Sequence, residues 1–151
     1  MNVIRLSAGL RLFAGALATC LLMFDAGSGR AADGFPFDRE LLLEAAPIRP
    51  AKRIPMLTVA EDGRATLGLW CRTVLARVQV SDSAIRIETA PLPEALPQYM
   101  STGQCNEQRV QADVDMLDAL SQVTDWRKRG DGVELRAPDG GRPIRFRASS
   151  H

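Results

Sequence analysis

The side chains that could carry chemistry in this sequence are three cysteines, one histidine and a group of aspartates. The histidine is His151, the last residue, and chain termini are usually frayed. Ser–His–Asp and Cys–His catalysis both need a well-positioned imidazole, and so does a His-based zinc site. The sequence therefore predicts no catalytic residue, no cofactor-binding residue and no metal ligand.

The aspartates are densest at Asp113, Asp115 and Asp118. Paired carboxylates can perform acid–base hydrolysis when they share a cleft. Spacings of two and three on a helix whose opposite face is apolar predict solvent exposure instead. A carboxylate-based hydrolase is therefore kept only as the second alternative function.

Two cysteines, Cys71 and Cys105, remain once the N-terminal 31 residues, a predicted secretory leader described below, are set aside. An even pair in an oxidising compartment favours a disulfide. That bond would close a loop of about 35 residues and stabilise the fold by roughly 3–4 kcal/mol in the chain-entropy model. The alternative is a reactive thiol at Cys105, because a helix N-terminus can lower the pKa of a cysteine and a helix is predicted to follow it.

The N-terminal segment has the pattern of a secretory signal peptide. Arg5 and Arg11 form a basic region before the uncharged apolar run 12–24, and Gly29 and Ala31 place small residues at the −3 and −1 positions. The run is about 13 residues long, short of the roughly 20 that span a bilayer. We therefore expect cleavage after Ala31, a periplasmic or secreted location, and no transmembrane segment in the mature chain.

A lipid anchor is the alternative fate of this leader. It would need small residues before Cys20 at the end of the apolar run. Instead Thr19 precedes the cysteine, and the apolar run continues as far as Phe24. Cys20 is therefore expected to be an ordinary leader residue and not a lipid attachment site.

The charge of the mature chain is close to balanced. Without residues 1–31 it has 16 basic and 17 acidic residues, in about 120 residues that suit one domain. This balance gives no indication of nucleic acid or of an anionic membrane surface as a partner.

The mature sequence alternates between strand signals and turn signals on both sides of one helix signal. A first strand is expected near 41–43, and from residue 56 apolar residues recur at period two, separated by turns such as Asp62-Gly63. This order predicts an α+β fold, a curved antiparallel β-sheet with one main helix (about 106–122) packed on it. Trp70 and Trp126 are expected in the core, with a ligand surface as their alternative role.

The helix signal follows a proline-rich stretch, residues 90–104, which is expected to be a loop. Asn106 is predicted as the helix N-cap, and Glu107 lies in the first turn, where the helix dipole favours negative charge. The residues expected to face the sheet are Val110, Val114, Leu117 and Leu120, and those expected to face outward are Arg109, Asp113, Asp115 and Asp118.

Residues 55–147 resemble the META/HslJ-like domain of bacterial envelope proteins. The stretches that carry the resemblance are AEDGRATLGLWC, STGQC, DVDMLDAL, DWRKRGDGVEL and PIRFR. Cys71 matches the cysteine of the family's first motif, while Arg72 stands where the family has asparagine. Thr102 and Cys105 resemble the second motif. Asp113, Met116 and Leu120 fall at the spacing of the family's helix motif, but Asp113 and Met116 stand where the family has glutamate and an aromatic residue. Ile144 and Phe146 match the last strand.

The resemblance implies a small envelope protein with accessory or stress-related roles and no common catalytic apparatus. The expected organisation is a signal peptide (1–31), a first strand and proline-rich connector (32–54), the META/HslJ-like domain (55–147) and a C-terminal tail (148–151). The predicted function is a non-enzymatic binding module, which leaves room for an unidentified envelope protein as its partner. The alternative is an inhibitor-like domain that binds another secreted protein through the loop at 90–104.

Overall fold

The computed structural model of the protein describes residues 34–45, 53–95 and 97–150. The predicted leader with Cys20, most of the proline-rich connector, and His151 lie outside the described residues. The described part of the chain contains eight strands and two helices. The strands are β1 (Leu41–Leu43), β2 (Met56–Val59), β3 (Arg64–Gly68), β4 (Thr73–Val80), β5 (Ile85–Thr89), β6 (Asp125–Arg129), β7 (Gly132–Arg136) and β8 (Ile144–Ala148); the helices are α1 (Pro97–Ser101) and α2 (Glu107–Ser121).

All eight strands belong to one antiparallel sheet in the order β5-β4-β3-β2-β1-β8-β7-β6. The last strand therefore lies between β1 and β7. The two edge strands, β5 and β6, meet through a bridge between Ala84 and Asp125, and the Trp126 N–H donates to the Ser83 carbonyl at 2.8 Å. The sheet is thus a nearly closed barrel, in which the two edge strands meet at one end, at residues 83–85 and 124–126.

The predicted period-two alternation is confirmed in the strands. Along β4 the residues Val74, Ala76 and Val78 are buried while their neighbours are exposed. Every strand contributes side chains to one buried apolar cluster, whose fully covered members include Leu41, Leu57, Leu67, Leu135 and Phe146. The predicted core position of both tryptophans is also confirmed, since Trp70 and Trp126 are 7% and 6% exposed.

The predicted hairpin at Asp62-Gly63 joins β2 to β3. Gly63 has a φ of +79°, in the left-handed region that a residue with a Cβ rarely adopts. A Cβ at this position would also lie 2.6 Å from the Val78 carbonyl oxygen. The turn therefore requires glycine for both its backbone angle and its close approach to β4.

The expectation that residues 90–104 form only a loop is wrong at α1. This short helix begins at Pro97, which suits a first helical position because the N–H that proline lacks would have no partner there. The Thr102 hydroxyl donates to the Gln98 carbonyl at 2.9 Å, and the Cys105 N–H donates to the Tyr99 carbonyl at 2.9 Å. These bonds turn the chain from α1 directly into the start of α2.

The predicted inner face of α2 is correct in its second half and wrong in its first half. Leu117 and Leu120 are buried as expected, but Val114 is 43% exposed, and Arg109 and Asp113 are fully buried. The helix is rotated so that its covered face runs through positions 109, 113, 117 and 120. The rotation places the side chain of Asp113 next to Arg72, which follows β3 in the sequence.

The rotated face of α2 can be tested by truncating one side chain on each face. Leu120→Ala is expected to lower the free energy of unfolding by about 2–5 kcal/mol, because it removes fully buried methyl groups. Val114→Ala, the control, should change it by less than about 0.5 kcal/mol, since Val114 is exposed. Urea unfolding followed by tryptophan fluorescence measures both. Equal losses for the two variants would contradict this orientation.

Candidate functional site

The two cysteines of the described chain form a disulfide between the end of β3 and the start of α2. Cys71 and Cys105 are 34 residues apart, their Cα atoms are 5.5 Å apart, and both side chains are buried. This favours the structural role over the reactive-thiol alternative at Cys105. A loop of this length corresponds to roughly 3–4 kcal/mol of stabilisation in the chain-entropy model.

The N-terminus of α2 begins beside the disulfide, as predicted. The Asn106 side chain accepts a hydrogen bond from the Arg109 N–H at 3.0 Å, and Glu107 lies in the first turn. The cap satisfies a backbone donor that the helix cannot pair by itself, and the carboxylate lies at the positive end of the helix dipole. The helix start and the disulfide together fix where the preceding segment rejoins the barrel.

A buried ion pair lies under this end of α2. The Arg72 Nε lies 2.9 Å from the carboxylate of Asp113, which also accepts from the Cys71 N–H at 3.2 Å. The two Nη atoms of Arg72 donate to the Val110 carbonyl at 2.9 Å and to the Pro93 carbonyl at 3.3 Å. The guanidinium therefore connects the turn after β3, the helix and the proline-rich segment.

Arg109 is a second buried arginine at this junction and was expected to face outward. Its side chain is fully covered, and its Nη1 donates to the Gln104 carbonyl. Arg109 and Asp113 are four residues apart, in line with Leu117. A charged pair at this spacing is typical of an exposed helix surface, so it did not indicate that these two residues are buried.

The junction also has an exposed apolar part and a cavity. All five residues of α1 are exposed, including Tyr99 at 39% and Met100 at 38%. A cavity of about 280 Å³ opens between α1 and the disulfide. Its lining residues are Arg53, Trp70, Cys71, Tyr99, Gln104, Cys105 and Arg109. We refer to α1, the disulfide and this cavity as the disulfide junction.

The aspartates behave differently from one another. Asp115 and Asp118 are exposed as predicted, whereas Asp113 is buried in the ion pair. Asp115 and Asp118 line an open cavity of about 380 Å³ together with Asp139. These carboxylates therefore line one cavity, which is the minimum that the hydrolase alternative requires. Among the described residues no group of three or more His, Cys, Asp or Glu side chains could hold a metal ion.

A charged cluster on the outer face of β6, β7 and β8 was not predicted. Glu134 is fully buried and pairs with Arg127, Arg129, Arg136 and Arg145 at 2.7 to 3.4 Å. The arginine stems cover the carboxylate while their own side chains remain about half exposed. Hydrogen bonds from Arg145 and Arg136 lower the pKa of Glu134 from 4.5 to about 2, against the opposing effect of burial. We call these five residues the arginine cluster.

Comparisons with protein-family models, curated proteins and solved structures returned no match for this chain. The similarity to META/HslJ-like domains therefore stays a hypothesis that depends on the motifs around Cys71 and Cys105. Among the described residues, neither helix is long and apolar enough to cross a membrane. The class that the structure defines is a nearly closed antiparallel barrel with two helices and a disulfide at the start of the longer one.

The buried ion pair can be tested by removing its negative partner. Asp113→Asn leaves the Arg72 guanidinium, only 10% exposed, without its compensating charge. We expect the free energy of unfolding to fall by about 3–5 kcal/mol in urea denaturation. The matched control Asp115→Asn changes an exposed carboxylate two residues away and should alter stability by no more than about 0.5 kcal/mol. Similar values for the two variants would contradict the pairing.

The arginine cluster predicts a specific dependence of stability on pH. The pKa of Glu134 is lower in the folded protein than its ordinary value, so its stabilising contribution is complete above about pH 4.5 and is lost as the pH falls toward about 2. Urea midpoints measured from pH 7 to pH 2 should converge for the wild type and Glu134→Gln over this interval. If the two midpoints stay equally far apart at every pH, folding does not favour the ionised form of Glu134.

Proposed function

We propose that this chain is a small secreted or periplasmic META/HslJ-like protein that acts as a non-enzymatic binding module, accessory or stress-related, in the cell envelope. The observation that carries the proposal is the disulfide junction. There the Cys71–Cys105 bond holds the chain just after α1, whose Tyr99 and Met100 are exposed, to the nearly closed barrel. A binding segment that is held in place loses less conformational entropy when it meets a partner.

Two further observations support this proposal. Disulfides persist mainly in oxidising compartments, which agrees with the leader pattern in the first 31 residues. Arg72 and Asp113, the ion pair next to the disulfide, bond to each other and to backbone groups. These contacts are structural, which agrees with a binding role for the surface above them. The proposal includes α2 as the main helix packed on the curved sheet, which the burial of Leu117 and Leu120 supports.

An inhibitor-like domain that acts through residues 90–104 is the second candidate. The exposure of Tyr99 and Met100 favours it, because tyrosine and methionine are enriched at protein interfaces and large apolar side chains are otherwise mostly covered here. The hydrolase alternative has one supporting observation, the cleft shared by Asp115, Asp118 and Asp139. The hydrolase alternative predicts a hydrolytic activity that is lost in Asp118→Asn, whereas the two binding proposals predict no hydrolytic activity.

The binding proposal is tested by co-purification of the tagged full-length protein from the envelope fraction. We expect one partner in stoichiometric amount, identified by mass spectrometry. Its recovery should fall by about tenfold or more in Tyr99→Ser/Met100→Ser, because tyrosine is enriched among the residues that carry most of an interface's binding energy and methionine is enriched at interfaces. An inhibitor-like role further requires that the partner is an enzyme and that added protein lowers its activity.

The control variant is Leu75→Ser/Val114→Ser, which removes two large exposed side chains elsewhere on the surface. It should retain the partner at the wild-type level. Undiminished recovery with the Tyr99/Met100 variant, or equal loss with the control, would overturn the junction as the binding site. Unchanged near-ultraviolet circular dichroism of both variants establishes that they are folded.

A further inference from the structure

The arginine cluster leaves positive charge uncompensated on one face of the barrel. Four guanidinium groups surround the single carboxylate of Glu134, and each arginine side chain is 41–55% exposed. One negative charge balances only one of the four. Three positive charges of the cluster therefore face solvent within a few ångströms of one another.

Neighbouring residues reduce this excess without removing it. Arg147 is exposed and lies two residues beyond Arg145, on the same face of β8. Two carboxylates beside the cluster offset part of its charge. Asp125 is in register with Arg136, and Glu44, which is exposed, lies next to Arg145 because its backbone N–H donates to the Arg145 carbonyl. The exposed Glu40 also lies beside β8, since its carbonyl accepts from the Ser149 N–H, so five arginines against four carboxylates leave one positive charge. Residues 32–151 carry 16 basic and 17 acidic side chains, so the excess is local to this face.

Glu134 also orients the guanidinium groups. A guanidinium carries five N–H donors, whereas a carboxylate offers about four acceptor positions to all of its partners. Most of the N–H donors in the cluster are therefore not bonded to Glu134. Arginine forks match the two oxygens of a carboxylate or phosphate, and their order here lowers the entropy lost when such a group binds.

The spacing of the arginines selects among oxyanion ligands. Arg127 and Arg129 occupy alternate positions of β6, and Arg145 and Arg147 occupy alternate positions of β8. Alternate residues of a strand lie about 6.4–6.8 Å apart, and so do alternate side chains of an extended peptide. An extended peptide laid along β6 would bring two alternate side chains beside Arg127 and Arg129, and one laid along β8 would bring two beside Arg145 and Arg147.

We propose that this face binds an extended acidic segment of another protein, with carboxylates at alternate positions. Within the described residues the large exposed apolar side chains are Ile54, Leu75, Tyr99, Met100 and Val114, and none belongs to β6, β7 or β8. The face therefore offers no aromatic ring for base stacking and no apolar side chain for membrane insertion. It is separate from the disulfide junction, so either proposal can fail while the other stands.

The probe is a fluorescein-labelled peptide of four aspartates alternating with serines, titrated by anisotropy at about 50 mM salt, where exposed charges are screened weakly. We expect binding that weakens as salt is added. Arg127→Gln/Arg129→Gln should reduce the affinity by about tenfold or more. The control Arg64→Gln/Arg86→Gln removes two exposed, singly paired arginines from other strands and should change it by less than about twofold.

A second pair, Arg127→Lys/Arg129→Lys, keeps the charge beside Glu134 and removes only the fork. Its affinity should fall by about threefold or more, and it serves as the test if the glutamine pair unfolds. Three results would overturn the proposal. They are no binding of the alternating peptide, equal binding of an isomer with four consecutive aspartates, and tighter binding of inorganic polyphosphate or phosphatidylglycerol vesicles than of the peptide.

Discussion

The carboxylate of Asp113 is fully buried on the covered face of α2, and a buried charge is tolerated only when other groups compensate it. Here the compensation comes from Arg72 and from the Cys71 N–H. Arg72 in turn holds the Val110 and Pro93 carbonyls. The rotation of α2, the position of the disulfide and the path of the proline-rich segment therefore depend on one ion pair. Such a pair adds little net stability over an apolar substitute, but it makes alternative arrangements costly.

This pair also explains where sequence reasoning succeeded and where it failed. Strand alternation, the turn at Gly63 and the cap at Asn106 follow from local chemistry, and the structure has all three. The face of α2 does not follow from local chemistry, because an amphipathic pattern assigns Asp113 to solvent unless its partner is known. That partner, Arg72, is 41 residues away along the chain, and no periodicity in a single sequence connects the two.

The disulfide junction and the arginine cluster also differ in how far the sequence alone predicts them. The disulfide of the junction was predictable because counting cysteines is enough to propose a pair, whereas the helix α1 beside it was not predicted. The arginine cluster was not, because the register of three strands brings Arg127 and Arg145 to opposite sides of Glu134. A nearly neutral composition conceals such a cluster, since the total charge says nothing about its distribution. The alternating arginines of β6 and β8 were visible as a pattern, but only the sheet order shows that they share a face.

The position of β8 between β1 and β7 has a consequence for how the chain folds. Leu41 pairs with Ala148, so the barrel cannot be completed until the last strand is available to the first. The hairpins from β2 to β5 and the link from Cys71 to Cys105 need no residue beyond α2. Contacts between distant parts of a chain form slowly, because closing a long loop costs entropy before the contact repays it. A chain stopped before residue 144 would leave β1 and β7 as open edges, available to pair with strands of other molecules.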